Sequence, residues 1–266
     1  MKRNYIGIWL LLLAAFIAVG LLSAFSPVHI GSYELRDSGL ASAITAPREN
    51  SPEELAIQPV EADSMFDRAL TAEPAEVDTM PKTLLFIGDS MLEGLSPRLA
   101  AYAKHNGHTL YSVIWYSSTS EVWGRSDKLA SYIEKIHPDF IFISLGANEL
   151  FVKDITTKRT QYVKKILADV GDIPYLWIGP PNWKPDTGIN KLIAAHAAPG
   201  SFFLSDGMTF ERSKDGAHPT RSSAVLWMDS VVRWMGENCP RPFKLDLPDA
   251  TTASAARVFI HKPRDQ

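Results

Sequence analysis

The stretch TLLFIGDSMLEGL, residues 83–95, carries an uninterrupted apolar run directly into Gly88-Asp89-Ser90. Nearly continuous apolar strands are typical of a parallel sheet whose two faces are both covered by helices, because neither face meets water. The acid Glu93 follows within one turn, where it would favour the start of a helix. We therefore predict a buried strand that turns at once into a helix and leaves the Ser90 hydroxyl at the turn.

The same alternation of apolar runs and helix-like segments continues to residue 237. The other apolar runs occupy residues 109–118, 139–149, 174–181 and 201–208. Segments with apolar residues at helical spacing occupy residues 96–107, 125–138, 157–172, 189–200 and 220–237. Strands and helices that alternate along a chain predict an α/β fold with a mainly parallel sheet.

The composition limits the classes of function. The 266 residues carry a formal charge of −3, so no basic surface indicates a nucleic-acid partner. The single cysteine, Cys239, cannot form an internal disulfide, and no group of Cys and His residues has the spacing of a zinc site. We predict no metal ion and no other cofactor.

The N-terminus predicts attachment to a membrane. Lys2 and Arg3 precede residues 5–25, an apolar run without a charged side chain. About 20 apolar residues are needed to span a bilayer as a helix, and a positive flank keeps that end in the cytoplasm. We predict an anchor at residues 1–26, with the remaining chain exported to the periplasmic or extracellular side. A cleaved signal sequence is the alternative.

Three further regions follow the anchor. Residues 27–81 are acidic, contain six prolines and lack the apolar density of a core, so we predict a tether, with a partner-docking segment as the alternative. Residues 82–238 form the predicted α/β domain. Residues 239–266 are a proline-rich tail that we expect to pack in part through Phe243 and Leu245.

Reactive side chains are expected at the carboxyl ends of the strands, where open α/β sheets bind ligands. Ser90 lies at one such end, and Asp215 and His218 follow the last apolar run in the segment DGAHPT. A serine hydroxyl needs a base within hydrogen-bond reach to act as a nucleophile. The three-residue spacing can bring the Asp215 carboxylate to one imidazole nitrogen and leave the other free for the Ser90 proton. The alternative is a solvated His218 in an ordinary Asp-Gly turn.

Acyl transfer also needs hydrogen-bond donors for the developing oxyanion. The Ser90 backbone N–H and the Asn148 side chain, at the end of another predicted strand, are the candidates. Gly146 in the same turn would let the backbone pass close to a substrate. The alternative for Asn148 is a helix cap, a position that Asn favours.

These residues resemble the SGNH (GDSL-type) hydrolase superfamily over residues 82–237. Four blocks occur in the family's order: Gly88-Asp89-Ser90, the Ser117–Ser120 loop, Gly146-Ala147-Asn148 and Asp215-Gly216-Ala217-His218. The resemblance implies a flavodoxin-like three-layer α/β/α sandwich with a five-stranded, mainly parallel sheet. It implies Ser90 as nucleophile, His218 as base and Asp215 as the residue that orients the base. The oxyanion donors would be the Ser90 N–H, a backbone N–H of the second block and the Asn148 side chain.

Two positions depart from the family's pattern. The second block usually contains glycine, and here Ser120 is the best-placed donor, with Gly124 as its rival. A backbone N–H donates whatever the side chain, so Ser120 could serve. The third block usually continues with Asp, where this chain has Glu149. The longer carboxylate changes the surroundings of Asn148.

The substrate is predicted from the residues near the strand ends and from the predicted export. Trp183 can stack on a sugar ring, although aromatic residues at such positions more often pack against the core. Asn182 and Gly146 complete the predicted substrate contacts. We predict hydrolysis of an O-acyl ester, in particular an O-acetyl ester, on a cell-envelope polysaccharide or peptidoglycan.

Three alternatives for the activity stay open. The same triad could act as an O-acyltransferase that receives acyl groups from a membrane protein partner and passes them to a glycan. The domain could instead be a lysophospholipase or thioesterase, which activity on long-chain esters would reveal. It could also be a non-catalytic domain that binds glycan or serves as a scaffold.

Overall fold

The computed structural model describes residues 28–30, 33–35, 77–249 and 256–265. The chain divides into two units, Met1–Phe66 and Asp67–Gln266. In the first unit, strand β1 (Val28–Ile30) pairs antiparallel with strand β2 (Tyr33–Leu35). The predicted anchor at residues 1–26 lies outside the described residues, as does most of the predicted tether. No helix among the residues described is long and apolar enough to cross a bilayer.

The second unit is built on a parallel sheet of six strands. They are β3 (Thr83–Gly88), β4 (Thr109–Trp115), β5 (Phe140–Ser144), β6 (Tyr175–Ile178), β7 (Phe202–Phe203) and β8 (Arg257–His261). Their order across the sheet is β7-β6-β5-β3-β4-β8, and every neighbouring pair is parallel. The predicted parallel α/β sheet is confirmed, and β3, which carries Ser90 at its end, lies near its centre.

Helices cover both faces of the sheet. They are α1 (Leu92–His105), α2 (Ser120–Arg125), α3 (Lys128–Ile136), α4 (Ile155–Val170), α5 (Ile189–Ala194) and α6 (Arg221–Asn238). Alternate residues of β3 point to opposite faces, so Leu84 and Phe86 pack with α1 and α6, whereas Leu85 and Ile87 pack with α2 to α5. The result is a three-layer arrangement with an apolar core on each side of the sheet.

The predicted tail supplies the sixth strand, where we expected five. β8 pairs with β4 from Tyr111↔Arg257 to Trp115↔His261. Phe243 in the same region is buried against the ring of Phe140, at a centroid distance of 5.1 Å. The boundary that we placed after residue 238 therefore leaves a hydrogen-bonded strand and a core residue outside the domain to which they contribute.

Candidate active site

Strand β3 ends where its backbone lies close against β5. A Cβ added to Gly88 would lie 2.2 Å from the Ser144 carbonyl oxygen, so the position requires glycine. The Asp89 N–H donates to that oxygen at 3.2 Å, after which the chain leaves the sheet and enters α1. This close approach of the two strands fixes the turn and leaves Ser90 at the edge of the sheet.

The structure brings Ser90, His218 and Asp215 into one hydrogen-bonded line. Ser90 Oγ lies 2.8 Å from His218 Nε2, and His218 Nδ1 lies 2.7 Å from Asp215 Oδ2. With a proton on Nδ1 facing the carboxylate, Nε2 is the acceptor for the Ser90 hydroxyl. Both imidazole nitrogens therefore have the partners that a serine nucleophile requires.

A turn built by Asp215 holds the imidazole in place. Its Oδ1 accepts the N–H of Ala217 at 2.9 Å and the N–H of His218 at 3.0 Å, while Oδ2 faces the ring. The backbone bonds from His218 and Ala217, together with the ring bond, lower the pKa of Asp215 to about 2. Asp215 is thus an anion near neutral pH. The turn over residues 215–218 brings its carboxylate to the imidazole of His218.

Asp89 is buried beside the triad but does not join it. Its Oδ1 accepts the Met91 N–H at 2.9 Å, which braces the turn into α1. Burial raises the pKa of Asp89 to about 7. Within residues 77–249 and 256–265, no hydrogen bond joins Asp89 to Ser90 or His218. Nor does any group of three or more His, Cys, Asp or Glu side chains in the described ranges form a candidate metal site.

Three groups are candidate donors for an oxyanion. The Asn148 amide donates to the Ser118 carbonyl oxygen at 2.9 Å and to Asp89 Oδ2 at 3.4 Å, so it would have to exchange one of these bonds, the longer one first, for a bond to the oxyanion. The backbone N–H groups of Ser90 and Ser117 make no hydrogen bond with any residue that the structure describes. Ser117 has a φ of 57°, a left-handed conformation that favours glycine. Ser117, which we did not predict as a donor, is therefore the better candidate there.

The structure corrects the predicted donors Ser120 and Gly124. The Ser120 N–H donates to one oxygen of the Glu149 carboxylate at 2.8 Å, and its hydroxyl donates to the other at 2.8 Å. That N–H is occupied, so it is not available to a substrate. Gly124 lies in α2, and an added Cβ would lie 2.8 Å from the Tyr162 Cβ of α4. Gly124 thus permits close packing of two helices and contributes nothing to the rim.

Glu149 ties the second block to the third block and to α4. Its side chain is fully buried, and besides Ser120 it accepts a hydrogen bond from Arg159 Nε at 2.7 Å. Arg159 also pairs with Glu121 of α2 at 2.7 Å. Burial raises the pKa of Glu149, and the bonds from Ser120 and Arg159 oppose that shift. The Glu149 carboxylate therefore holds the loop of the second block against α4.

Gly146 serves the backbone rather than a substrate. Its φ is 121°, in the region that favours glycine, and the residue is buried. An added Cβ would lie 3.1 Å from Pro180 and 3.2 Å from Ile189. The structure thus corrects the prediction that Gly146 contacts substrate, because protein atoms fill the space beside it.

Asn182 and Trp183 are both partly exposed beside the third block. Asn182 Oδ1 accepts from the Asn190 amide at 3.2 Å, so part of its hydrogen-bonding capacity is used inside the protein. Trp183 donates its indole N–H to the Ala147 carbonyl oxygen at 3.0 Å. Since Ala147 directly precedes Asn148, Trp183 is fixed to the loop of a candidate oxyanion donor.

Three known structures are similar to this chain over part of its length. The esterase EstA from a Pseudoalteromonas species is similar over 58% of this chain and 97% of its own, at 22% identity and a TM-score of 0.41. TesA is similar over 57% of this chain and 97% of its own, at 21% identity and a TM-score of 0.45. A protein of the lipolytic G-D-S-L family from Desulfitobacterium hafniense is similar over 57% and 98%, at 16% identity and a TM-score of 0.39.

The resemblance to SGNH (GDSL-type) hydrolases lies in the four sequence blocks. No family model and no curated protein matches the sequence. The chemistry of this chain is therefore argued from the geometry of its own site.

Proposed function

We propose that this chain is a serine esterase of the SGNH type, which hydrolyses O-acyl esters, in particular acetyl esters, through an acyl-enzyme on Ser90. The observation that carries the proposal is the unbroken line from Ser90 Oγ through His218 to Asp215, at 2.8 and 2.7 Å. A hydroxyl with a base in reach, and a carboxylate that orients the base, is the arrangement of a serine nucleophile.

Each step of the proposed reaction uses a group with a defined place. His218 Nε2 takes the Ser90 proton while Ser90 Oγ forms a bond to the ester carbonyl carbon. Asp215 stabilises the imidazolium and does not take the proton itself. The imidazolium then gives its proton to the departing alcohol oxygen as the acyl–oxygen bond breaks. Water repeats the sequence on the acyl-enzyme and releases the acid and Ser90.

The negative oxygen of the tetrahedral intermediate would bind among N–H groups of Ser90, Ser117 and Asn148. Ser90 also precedes the first turn of α1, and the positive end of a helix favours negative charge. Donors that are held in place before the reaction contribute about 10²–10³ in rate for each donor. In this proposal Glu149 positions Ser117, since its hydrogen bonds to Ser120 hold the loop that carries both serines.

The substrate in this proposal is an O-acylated polysaccharide or peptidoglycan of the cell envelope. The side chains of His218 and Asp215 are 34% and 51% exposed, so a polymer can reach the reacting groups. The positive flank and apolar run at the N-terminus support export of the domain. The same open surface admits a sugar hydroxyl in place of water, so transfer of an acyl group to glycan from a membrane protein donor is the second candidate.

The test compares the full chain with Ser90→Ala on short- and long-chain para-nitrophenyl esters and on O-acetylated glycans. Wild type should release acetate, and Ser90→Ala should lose about 10⁴-fold or more of that rate. Ser131→Ala, which changes an exposed serine of α3, is the control and should keep full activity. Equal release by wild type and Ser90→Ala would refute the nucleophile, and a preference for long chains would favour the lysophospholipase or thioesterase alternative.

The membrane anchor and its orientation belong to the same proposal. A C-terminal reporter that works only outside the cytoplasm should be active, and the full chain should stay with membranes after a high-salt wash. Activity of a cytoplasmic reporter would refute export. Release of a shortened chain would favour the cleaved signal sequence.

A further inference from the structure

The segment that carries Trp183 is held between the two loops of the candidate catalytic groups. On one side, the Trp183 indole bonds to the third block. On the other side, Arg212 donates to the Asn182 carbonyl oxygen at 3.5 Å and to the Ala217 carbonyl oxygen at 2.5 Å, directly before His218. The segment is therefore fixed beside both the proposed oxyanion donors and the proposed base.

Phe151 and Trp183 form an aromatic corner at this place. Their ring centroids lie 6.3 Å apart, with an interplanar angle of 81°. Phe151 is 54% exposed, although burial of a phenylalanine is favourable. The aromatic corner thus leaves apolar ring surface uncovered next to the site, which is a feature of ligand-binding surfaces.

Lys184 adds a positive charge to the aromatic corner. Its Nζ lies 4.6 Å from the ring centroid of Trp183 and 5.4 Å from that of Phe151. These cation–π contacts hold the ammonium group near the rings. Lys184 is exposed and forms no ion pair within the part of the chain that the structure describes. Its charge is therefore positioned but not neutralised.

From these contacts we infer a subsite for an anionic sugar, in which the aromatic corner takes the face of a sugar ring and Lys184 binds a carboxylate. The inference rests on the proposed function, because it specifies the polysaccharide whose ester Ser90 attacks. An acyl chain would use the rings but leave the ammonium group unmatched, and so would a neutral sugar. An acidic sugar, such as a uronic acid, matches both features.

Two variants separate the contribution of the charge from that of the rings. Lys184→Gln removes the charge and keeps a long polar side chain, and Phe151→Ala removes the exposed ring. Lys135→Gln is the matched control, because Lys135 Nζ lies 5.1 Å from the Phe259 ring in the same kind of contact, against edge strand β8. The full chain with Ser90→Ala is the background, so that the ester survives the measurement.

The measurement is the affinity for an O-acetylated uronic-acid polysaccharide and for the same polymer after reduction of its carboxyl groups. The acidic form should bind about two- to fivefold more tightly at low salt, the range expected for an exposed ion pair. Lys184→Gln should remove this preference, and so should added salt. Phe151→Ala should weaken binding of both polymers by similar factors. Lys135→Gln should leave both affinities unchanged.

Equal affinity for the acidic and the reduced polymer would overturn the inference, as would a preference that survives Lys184→Gln. An effect of Phe151→Ala confined to long-chain acyl esters would also overturn it and assign the aromatic corner to the acyl chain. The hydrolase proposal fails separately if wild type does not cleave para-nitrophenyl acetate, which carries no sugar. A preference for the acidic polymer that persists in that case would leave the subsite standing.

Discussion

Replacing Gly88 by alanine tests whether the contact between β3 and β5 sets the position of Ser90. The added Cβ would lie 2.2 Å from the Ser144 carbonyl oxygen and 2.4 Å from Leu92 Cδ1. The Leu92 side chain can rotate away, but the Ser144 oxygen belongs to the backbone and accepts the Asp89 N–H. The clash can be relieved only if the two strands separate or the turn shifts.

The expected loss of stability and of kcat in Gly88→Ala follows from the distance between the added Cβ and the Ser144 carbonyl oxygen. Real Cβ atoms essentially never approach another heavy atom within 3.0 Å, so the backbone must move by at least the difference from 2.2 Å, which is 0.8 Å. Overpacking costs about 1–3 kcal/mol and a weakened hydrogen bond about 0.5–1.5 kcal/mol, so the free energy of unfolding should fall by about 2–4 kcal/mol. Displacement of Ser90 by about 1 Å should lower kcat by as much as about 10²-fold.

Urea unfolding followed by tryptophan fluorescence measures the loss, with Gly236→Ala as the matched control. Gly236 lies in α6 with nothing within 4 Å of an added Cβ, and alanine is the better helix former by about 0.8–1.0 kcal/mol. The same added methyl group should therefore destabilise the protein at Gly88 and stabilise it at Gly236. A loss below about 1 kcal/mol for Gly88→Ala, with kcat intact, would refute the reasoning that this contact positions Ser90.

Three further predictions concern buried titratable groups and the loop of the second block. Burial lowers the pKa of His108 from 6.5, so the unfolded chain binds more protons than the folded chain below that pH. The free energy of unfolding, measured by urea titration, should therefore fall as the pH drops below 6.5. His108→Gln should make this dependence on pH less steep. Burial raises the pKa of Asp89 from 3.8 to about 7, so its contribution to stability should be lost as the pH rises through that interval, and Asp89→Asn should abolish the loss. Glu149→Gln weakens the hydrogen bonds to Ser120, so kcat for a small ester should fall about tenfold with little change in KM. A raised KM with unchanged kcat would contradict a role of Glu149 in positioning the loop.

The central strands of the sheet can be predicted from the sequence because both of their faces are buried. Leu84 to Ile87 have no exposed surface, and burial on two faces requires an unbroken apolar run. β8 cannot be predicted in the same way, since its Val258 and Ile260 are 45% and 57% exposed. Five residues with weak alternation do not differ from a loop in sequence, and only pairing with β4 makes them a strand.

In the candidate site, the triad could be predicted from the sequence, whereas the donor of the second block could not, because it depends on long-range contacts. Asp215 and His218 meet within one turn, and His218 meets Ser90 because parallel strands end at one edge of the sheet, so these positions follow from sequence and topology. The donor of the second block depends on which N–H other loops leave free. Glu149 occupies the Ser120 N–H from 29 residues away, and no pattern within the block reveals that contact.

β8 covers the outer edge of β4, yet it leaves the ribosome after every other strand of the described sheet. Until residues 257–261 arrive, β4 is a sheet edge whose unpaired N–H and C=O groups can recruit strands of other chains. A chain cut short after residue 249 would keep Ser90, Asp215 and His218 and still lack this cover. In the complete sheet β8 is the edge in place of β4, so these five residues determine which strand presents its unpaired backbone groups to other chains.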